Sequence, residues 1–392
     1  MNKQGKAVAV LLALFAFAAA SLRVSPSHAQ TAQSAGELNV KIAESVLITS
    51  SRGYCWFPNI YRLSDGELFV QMGLGPDTTA PESSFAAFCV SNDGGKTWGP
   101  RVSEGPLFSA GLLTRFPTGE RKLMGVGFRL FAFPQGQSRN LEGMMTEISD
   151  GWNVITHRRG IRVTLPEPAQ WEPVDRSNGG VLAELPAVVF CGCILKSRDG
   201  GLLVPMYGKL VGDKYDRSFL MKSMDGGLHW SYLSTIAKVD MPWPGMGNEG
   251  ANEPGLARLA DGRLICLLRT GSDGLMYQTW SADDGKTWET PVSTGVKGVA
   301  PQVGLLSSGV LACTYGRPGP VSIMFSLDGT GKTWTHHTPI FQEMSTRYTG
   351  FLEVAPHRLL VVYDHVPYGW KPIPPSDTSS RNEIYGTFID VQ

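Results

Sequence analysis

The stretch Ser91-Asn-Asp-Gly-Gly-Lys-Thr-Trp98 decides the fold, because it recurs along the chain. Copies stand at Ser223-Met-Asp-Gly-Gly-Leu-His-Trp230, at Ser281-Ala-Asp-Asp-Gly-Lys-Thr-Trp288 and, with one residue inserted, at Ser326-Leu-Asp-Gly-Thr-Gly-Lys-Thr-Trp334. Ser149-Asp150-Gly151-Trp152 is a degenerate fifth. Self-similarity at intervals of tens of residues marks an array of supersecondary units. Each intact copy follows a strand-like segment such as Phe85-Ala-Ala-Phe-Cys-Val90 or Met276-Tyr-Gln-Thr-Trp280, so the box is a turn between strands. Asp93 and its counterparts are placed to accept backbone N–H bonds within that turn, and Gly95 to adopt a positive φ. Their identical turn context assigns these aspartates to structure and not to a metal.

A second repeat lies upstream of the boxes, a hairpin with an Asp-Gly or similar tip between apolar runs. Clear copies are Arg62-Leu-Ser-Asp-Gly-Glu-Leu-Phe-Val70, Leu195-Lys-Ser-Arg-Asp-Gly-Gly-Leu-Leu-Val204 and Arg258-Leu-Ala-Asp-Gly-Arg-Leu-Ile-Cys266. Weaker ones begin at Phe116, Leu305 and Leu352, which makes six. Hairpin, strand, box and closing strand form one four-stranded antiparallel blade. The expectation is an all-β, six-bladed β-propeller, whose closed ring leaves only short edges. Glu383-Ile-Tyr-Gly-Thr-Phe-Ile-Asp-Val391 completes the last blade with help from a strand near Leu38 to Ile48.

Composition agrees with this and excludes other classes. Glycine (46) and proline (26) are plentiful, and long helical periodicity is missing, which favours short strands joined by turns. The 35 basic and 35 acidic residues cancel, so no global field points to nucleic acid or to an acidic membrane. Lys3 and Lys6, an apolar run from Ala7 to about Leu22 and the small-x-small site Ser27-His28-Ala29 read as a signal peptide over residues 1–29. Residues 30–392 are then a single domain, soluble in a periplasm or outside the cell. No later stretch approaches the roughly 20 apolar residues of a membrane span. Of the six cysteines, Cys266 and Cys313 sit in apolar runs as small hydrophobes. Cys55 and Cys89 are the pair that a bridge would join.

Strand order fixes which face carries chemistry. Asp-Gly tips and boxes share one face, so the starts of the first strands and the ends of the second strands share the other. Arg129, Lys209, Arg269 and Arg317 end second strands, with Asp364 and His365 closing the sixth, and together read as a cationic crown suited to an anion. Beside them, Trp56-Phe57-Pro58, Glu184-Leu185-Pro186, Asn252-Glu253-Pro254 and Arg347-Tyr348-Thr349 open first strands, and the loop from Gly73 to Thr79 brings Asp77.

Four such boxes on a six-hairpin frame resemble the sialidase superfamily of propellers, across nearly the whole mature chain. The segment Glu253-Pro254-Gly-Leu-Ala-Arg-Leu-Ala-Asp-Gly-Arg-Leu-Ile-Cys-Leu-Leu-Arg269 is similar to the family's Glu-Pro, hairpin and arginine pattern. The resemblance implies Tyr348 as nucleophile, Glu253 as its proton-accepting partner, Asp77 as acid/base, and Arg269 and Arg317 as holders of a substrate carboxylate. It implies a terminal sialic acid or related acidic sugar as substrate and no cofactor or metal. A neutral tyrosine suits that sugar, because a carboxylate nucleophile would be repelled by the carboxylate on the anomeric carbon.

The sequence also departs from the family. Sialidases open the first blade with a Phe-Arg-Ile-Pro-like motif, and here Cys55-Trp56-Phe57-Pro58 puts tryptophan in place of the arginine. Two other readings therefore stay open. Glu184 and Glu253 open neighbouring blades and would serve as the carboxylate pair of a retaining glycosidase on a sugar such as arabinan. Alternatively, the propeller binds carbohydrate without catalysis. Trp56 is either a stacking surface for sugar or a plug in the central channel. Tyr368 and Trp370, in a proline-rich loop, either stack on sugars or clamp their own loop. Glu249 reads as a bystander.

Overall fold

Short apolar runs broken by glycine-rich turns give strands throughout, and among the described residues there is no helix. The computed structural model describes residues 38–63, 66–77, 85–106, 113–119, 122–127, 139–149, 154–173 and 184–392. The signal-peptide reading, the tip of the degenerate box and Arg129 lie outside these residues.

Four antiparallel sheets have four strands each. The first contains Trp56–Arg62, Leu68–Gly73, Phe85–Ser91 and Val102–Pro106. Another contains Asn252–Arg258, Leu264–Arg269, Leu275–Ser281 and Val292–Lys297, and the next Val299–Leu305, Leu311–Gly316, Val321–Ser326 and Thr335–Phe341. The last joins Thr349–Ala355, Arg358–His365 and Asn382–Val391 to the N-terminal strand Val40–Ser51, which pairs with Asn382–Val391. Between the first and these, two further groups of strands run together as one nine-stranded sheet. His229–Ser231 pairs in parallel there with Arg162–Thr164, stitching one meander to the next.

Each of the six expected hairpins forms, from Arg62 opposite Leu68 to Ala355 opposite Arg358. First strands of neighbouring sheets pack together: Trp56–Arg62 on Leu113–Gly119, Asn252–Arg258 on Val299–Leu305, and Thr349–Ala355 back on Trp56–Arg62. The core lies between the sheets. Leu68, Val70, Met72 and Cys89 of the first sheet share one apolar cluster with Leu360, Val362 and Phe388 of the last.

The boxes act as turns that close these interfaces. Ser91 Oγ donates to Asp93 Oδ1 (2.8 Å) and accepts from Gly95 N (2.9 Å), while Asp93 accepts from Thr97 N (2.9 Å) and Thr97 Oγ1 (2.6 Å). Hydrogen bonds of the same kind recur from Ser223, Ser281 and Ser326. Gly95 has φ +93°, and a Cβ there would lie 2.4 Å from Leu360 Cδ2 of the last sheet. Only glycine fits both demands. These bonds hold Asp93 at a pKa of about 2, with the Thr97 hydroxyl and N–H the largest causes.

The opposite ends of the first strands are irregular. A register shift follows Trp56, Asn252 and Val299. Within each shift a non-glycine residue preceding proline takes positive φ: Phe57 (52°), Glu253 (40°) and Ala300 (47°). Such bulges re-aim side chains, and left-handed conformations at non-glycine positions cost on the order of 1 kcal/mol or more each.

All six cysteines are free thiols. Cys55 and Cys89 are buried in the shared apolar cluster without a bridge, and burial pushes the Cys89 thiol up to about 11.

Candidate active site

The bulge at Glu253 turns its carboxylate toward Tyr348, at the head of Thr349–Ala355. Tyr348 Oη donates a short hydrogen bond to Glu253 Oε1, which also accepts from Arg269 Nη1 at 2.6 Å. Glu253 Oε2 accepts from the backbone N–H of Ala300 at 3.0 Å. Glu253 is 7% exposed, so these donors replace the water its carboxylate has lost. Burial, then the neighbouring Glu253 charge, raise the Tyr348 pKa well above that of an ordinary phenol, and Arg269 opposes this. The phenol therefore stays protonated, and its proton already points at an acceptor.

Arg269 ends the second strand of the same sheet, opposite Asn252. Besides Glu253 it reaches Glu249 Oε1 (2.8 Å) and Ser272 Oγ (3.1 Å) through Nη2. Against the penalty of burial, the Glu253 charge raises its pKa above the ordinary value. Arg317 donates from Nη1 to Ser272 Oγ (3.3 Å) and from Nε and Nη2 to Thr346 O. Its guanidinium lies 5.5 Å from the ring centres of both Tyr348 and Trp370.

Trp56 is 2% exposed and donates from Nε1 to Gly75 O at 3.0 Å. Tyr54, Phe57 and Trp370 pack around its ring. It is thus a filler beneath the site, while Trp370, 46% exposed, presents the aromatic surface. The Gly75 bond fastens the start of the loop that carries the exposed Asp77. Tyr368 donates to Asp377 within its own loop.

The expected cationic crown is only partly assembled. Arg269 and Arg317 meet at Ser272, but Glu249 and Glu253 are both bonded to Arg269, and Asn252 joins Glu249 to Asp216. Lys209, just after Leu202–Gly208, donates from its backbone to Ala187 O and accepts from Gln170 N. Asp364 is no part of a crown. It is buried, and it accepts from Ser345 Oγ, Thr346 N and Thr346 Oγ1 and, across the sheet interface, from Phe57 N at 3.0 Å. Burial raises its pKa. Glu184 pairs with Pro173 through its backbone, and its side chain lies outside the described ones.

Sequence reasoning set Glu249 aside as a bystander and passed over Ser272 and Tyr207. The Tyr207 pKa rises through burial and then through the Glu253 charge. Its place near the end of Leu202–Gly208 was the available signal; Ser272 offered none. Among the described residues no group of three His, Cys, Asp or Glu side chains is arranged to hold a metal.

Comparison with known proteins gives the frame a relationship. A protein of unknown function from Dyadobacter fermentans superposes with a TM-score of 0.66 at 18% identity, covering 90% of this chain and 99% of that one. An α-L-arabinanase of Penicillium chrysogenum, solved with arabinobiose, gives 0.59 at 14% identity, covering 89% and 98%. A Hadza microbial sialidase gives 0.58 at 15% identity, covering 79% of this chain and 63% of that one. These likenesses concern the fold. No curated protein matches by sequence. A family model described as a BNR repeat-like domain matches residues 151–354, just over half of the chain. A match over that share of the chain shows that it belongs to the BNR repeat-like family.

Proposed function

We propose that the protein is an exported, exo-acting glycoside hydrolase, residues 30–392 forming one six-bladed propeller behind a signal peptide at residues 1–29. Contact between the first and last sheets and between the first strands around the axis supports closure. Among the described residues no helix is long and apolar enough to cross a membrane. The substrate is a glycan, approached from the face of the bulged strand starts.

The observation that carries this reading is the Tyr348 to Glu253 hydrogen bond, with Arg269 on the same carboxylate oxygen. Tyr348 Oη attacks the anomeric carbon as Glu253 takes its proton and Asp77 protonates the departing oxygen. A water then displaces tyrosine from the glycosyl-enzyme, giving its proton to Asp77 while Glu253 returns one to Tyr348. Arg317 and Trp370 frame the sugar.

A second reading makes Glu253 itself the nucleophile and Glu184 the acid/base. It is favoured by the two donors besides tyrosine, Arg269 and Ala300 N, that orient Glu253. That the fold is shared with both a sialidase and an arabinanase accommodates either chemistry. Fluorogenic sialoside, uronide and arabinofuranoside reporters, tested on Tyr348→Phe and Glu184→Gln, separate them. Loss only in the first supports tyrosine attack, loss only in the second supports paired carboxylates, and no turnover of any reporter by the unaltered protein defeats both.

A further inference from the structure

Glu249 stands four residues before Glu253, and its side chain is 32% exposed, so it faces the open side of the site. It is held at both oxygens: Oε1 accepts from Arg269 Nη2 at 2.8 Å, and Oε2 accepts from Asn252 Nδ2 at 2.8 Å. A carboxylate fixed in this way is part of the construction of the site. We propose that Glu249 occupies the position on Arg269 that a substrate carboxylate would take, so that the site selects a sugar uncharged at its anomeric carbon over a sialic acid. The inference rests on the reading that Tyr348 and Glu253 mark the sugar site.

Recognition of a planar carboxylate by arginine needs two parallel donors directed at the ligand. On Arg269, Nη1 is bonded to Glu253 and Nη2 to Glu249 and Ser272. Arg317 is no substitute, because Nε and Nη2 are both bound to Thr346 O and Nη1 to Ser272. The position where sialidases carry another arginine holds Trp56, which is buried. An incoming carboxylate must therefore displace Glu249 or settle beside Glu249, Glu253 and Asp216, and like charges at that range reject it. Two buried atoms on the facing pair Asn252 and Arg269 lack a partner, the acceptor Asn252 Oδ1 and the donor Arg269 Nε.

The consequence reaches the mechanism. Without a carboxylate on the anomeric carbon, the repulsion that disfavours a glutamate nucleophile disappears, which removes the electrostatic objection to direct attack by Glu253.

The test is calorimetric titration of N-acetylneuraminic acid at neutral pH into the unaltered protein, Glu249→Gln and Glu249→Ala, each first checked by thermal melting. The unaltered protein is expected to show no saturation up to roughly 10 mM, and removal of the Glu249 charge to tighten binding by at least about tenfold. Saturation of the unaltered protein in the low millimolar range overturns the inference, as does equal affinity across the three proteins. Glu249→Gln keeps an acceptor for Arg269, so it reports even if the alanine variant does not fold. The titration needs no turnover, which separates its failure from failure of the hydrolase reading.

Discussion

The two ends of the same repeat behave in opposite ways. At the box end, serine, aspartate and glycine recur with the same hydrogen bonds, each aspartate satisfied by its own turn. At the other end the equivalent residues are Trp56, Asn252, Val299 and Thr349, followed by strained positions at Phe57, Glu253 and Ala300. Hydrogen bonds there run between sheets, from Tyr348 to Glu253, Ala300 to Glu253 and Phe57 to Asp364. Local bonds can be repeated because each unit satisfies itself. Bonds between units converge on one point, so each unit contributes something different, and strain is tolerated where neighbouring sheets hold it in place.

Substitutions at the two ends should therefore separate activity from stability. Tyr348→Phe or Glu253→Gln is expected to lower kcat on a cleaved reporter by about a thousandfold, within the range for losing a nucleophile or its proton acceptor. Steady-state kinetics beside a melting curve check this, and a variant that is active but unstable would break the distinction. Asp364→Ala, at the strained end but buried, should cost about 3 kcal/mol in chemical denaturation, because Phe57 N, Thr346 N and two hydroxyls lose their acceptor. Its effect on activity should follow displacement of Phe57, which packs edge-on against Tyr348.

At the box end the effects are smaller. Ser281→Ala removes the acceptor for Gly285 N and should cost about 1 kcal/mol while leaving kinetics unchanged. A change in KM there would show that the two ends communicate. The smallest effect concerns acid. Asp93 titrates at about 2 in the folded chain against an ordinary 3.8, so between these values the unfolded chain binds more protons than the folded one. Its stabilisation is full above the ordinary value and is lost as pH falls through the folded one. Asp93→Asn should flatten the acid limb of a stability-against-pH curve, with no change at neutral pH in the slope.

How legible each end was follows from the same contrast. The boxes and hairpins could be read directly, since a Ser-x-Asp-x-Gly turn is specified by residues within a few positions of one another. Glu253, Arg269, Arg317 and Tyr348 were found through a pattern of spacing along successive strands, and the structure brings them together. Glu249 was dismissed because nothing local distinguishes a glutamate on a loop from one paired to an arginine 20 residues away. Trp56 was left between two roles because burial depends on Tyr54, Phe57 and Trp370, the last supplied from more than three hundred residues downstream.

By itself, then, the sequence determined the repeating unit, its all-β class and the placing of Glu253, Arg269 and Tyr348 at strand ends away from the boxes, because turn chemistry and strand alternation are short-range. Only the tertiary structure decided that Trp56 is buried, that Cys55 and Cys89 stay unbridged, that Asp364 clasps Phe57, and that Arg269 is shared between Glu249 and Glu253. The physical reason is that solvation and pairing of a charge depend on what other sheets bring within a few ångströms of it, and spacing along one strand carries no record of that.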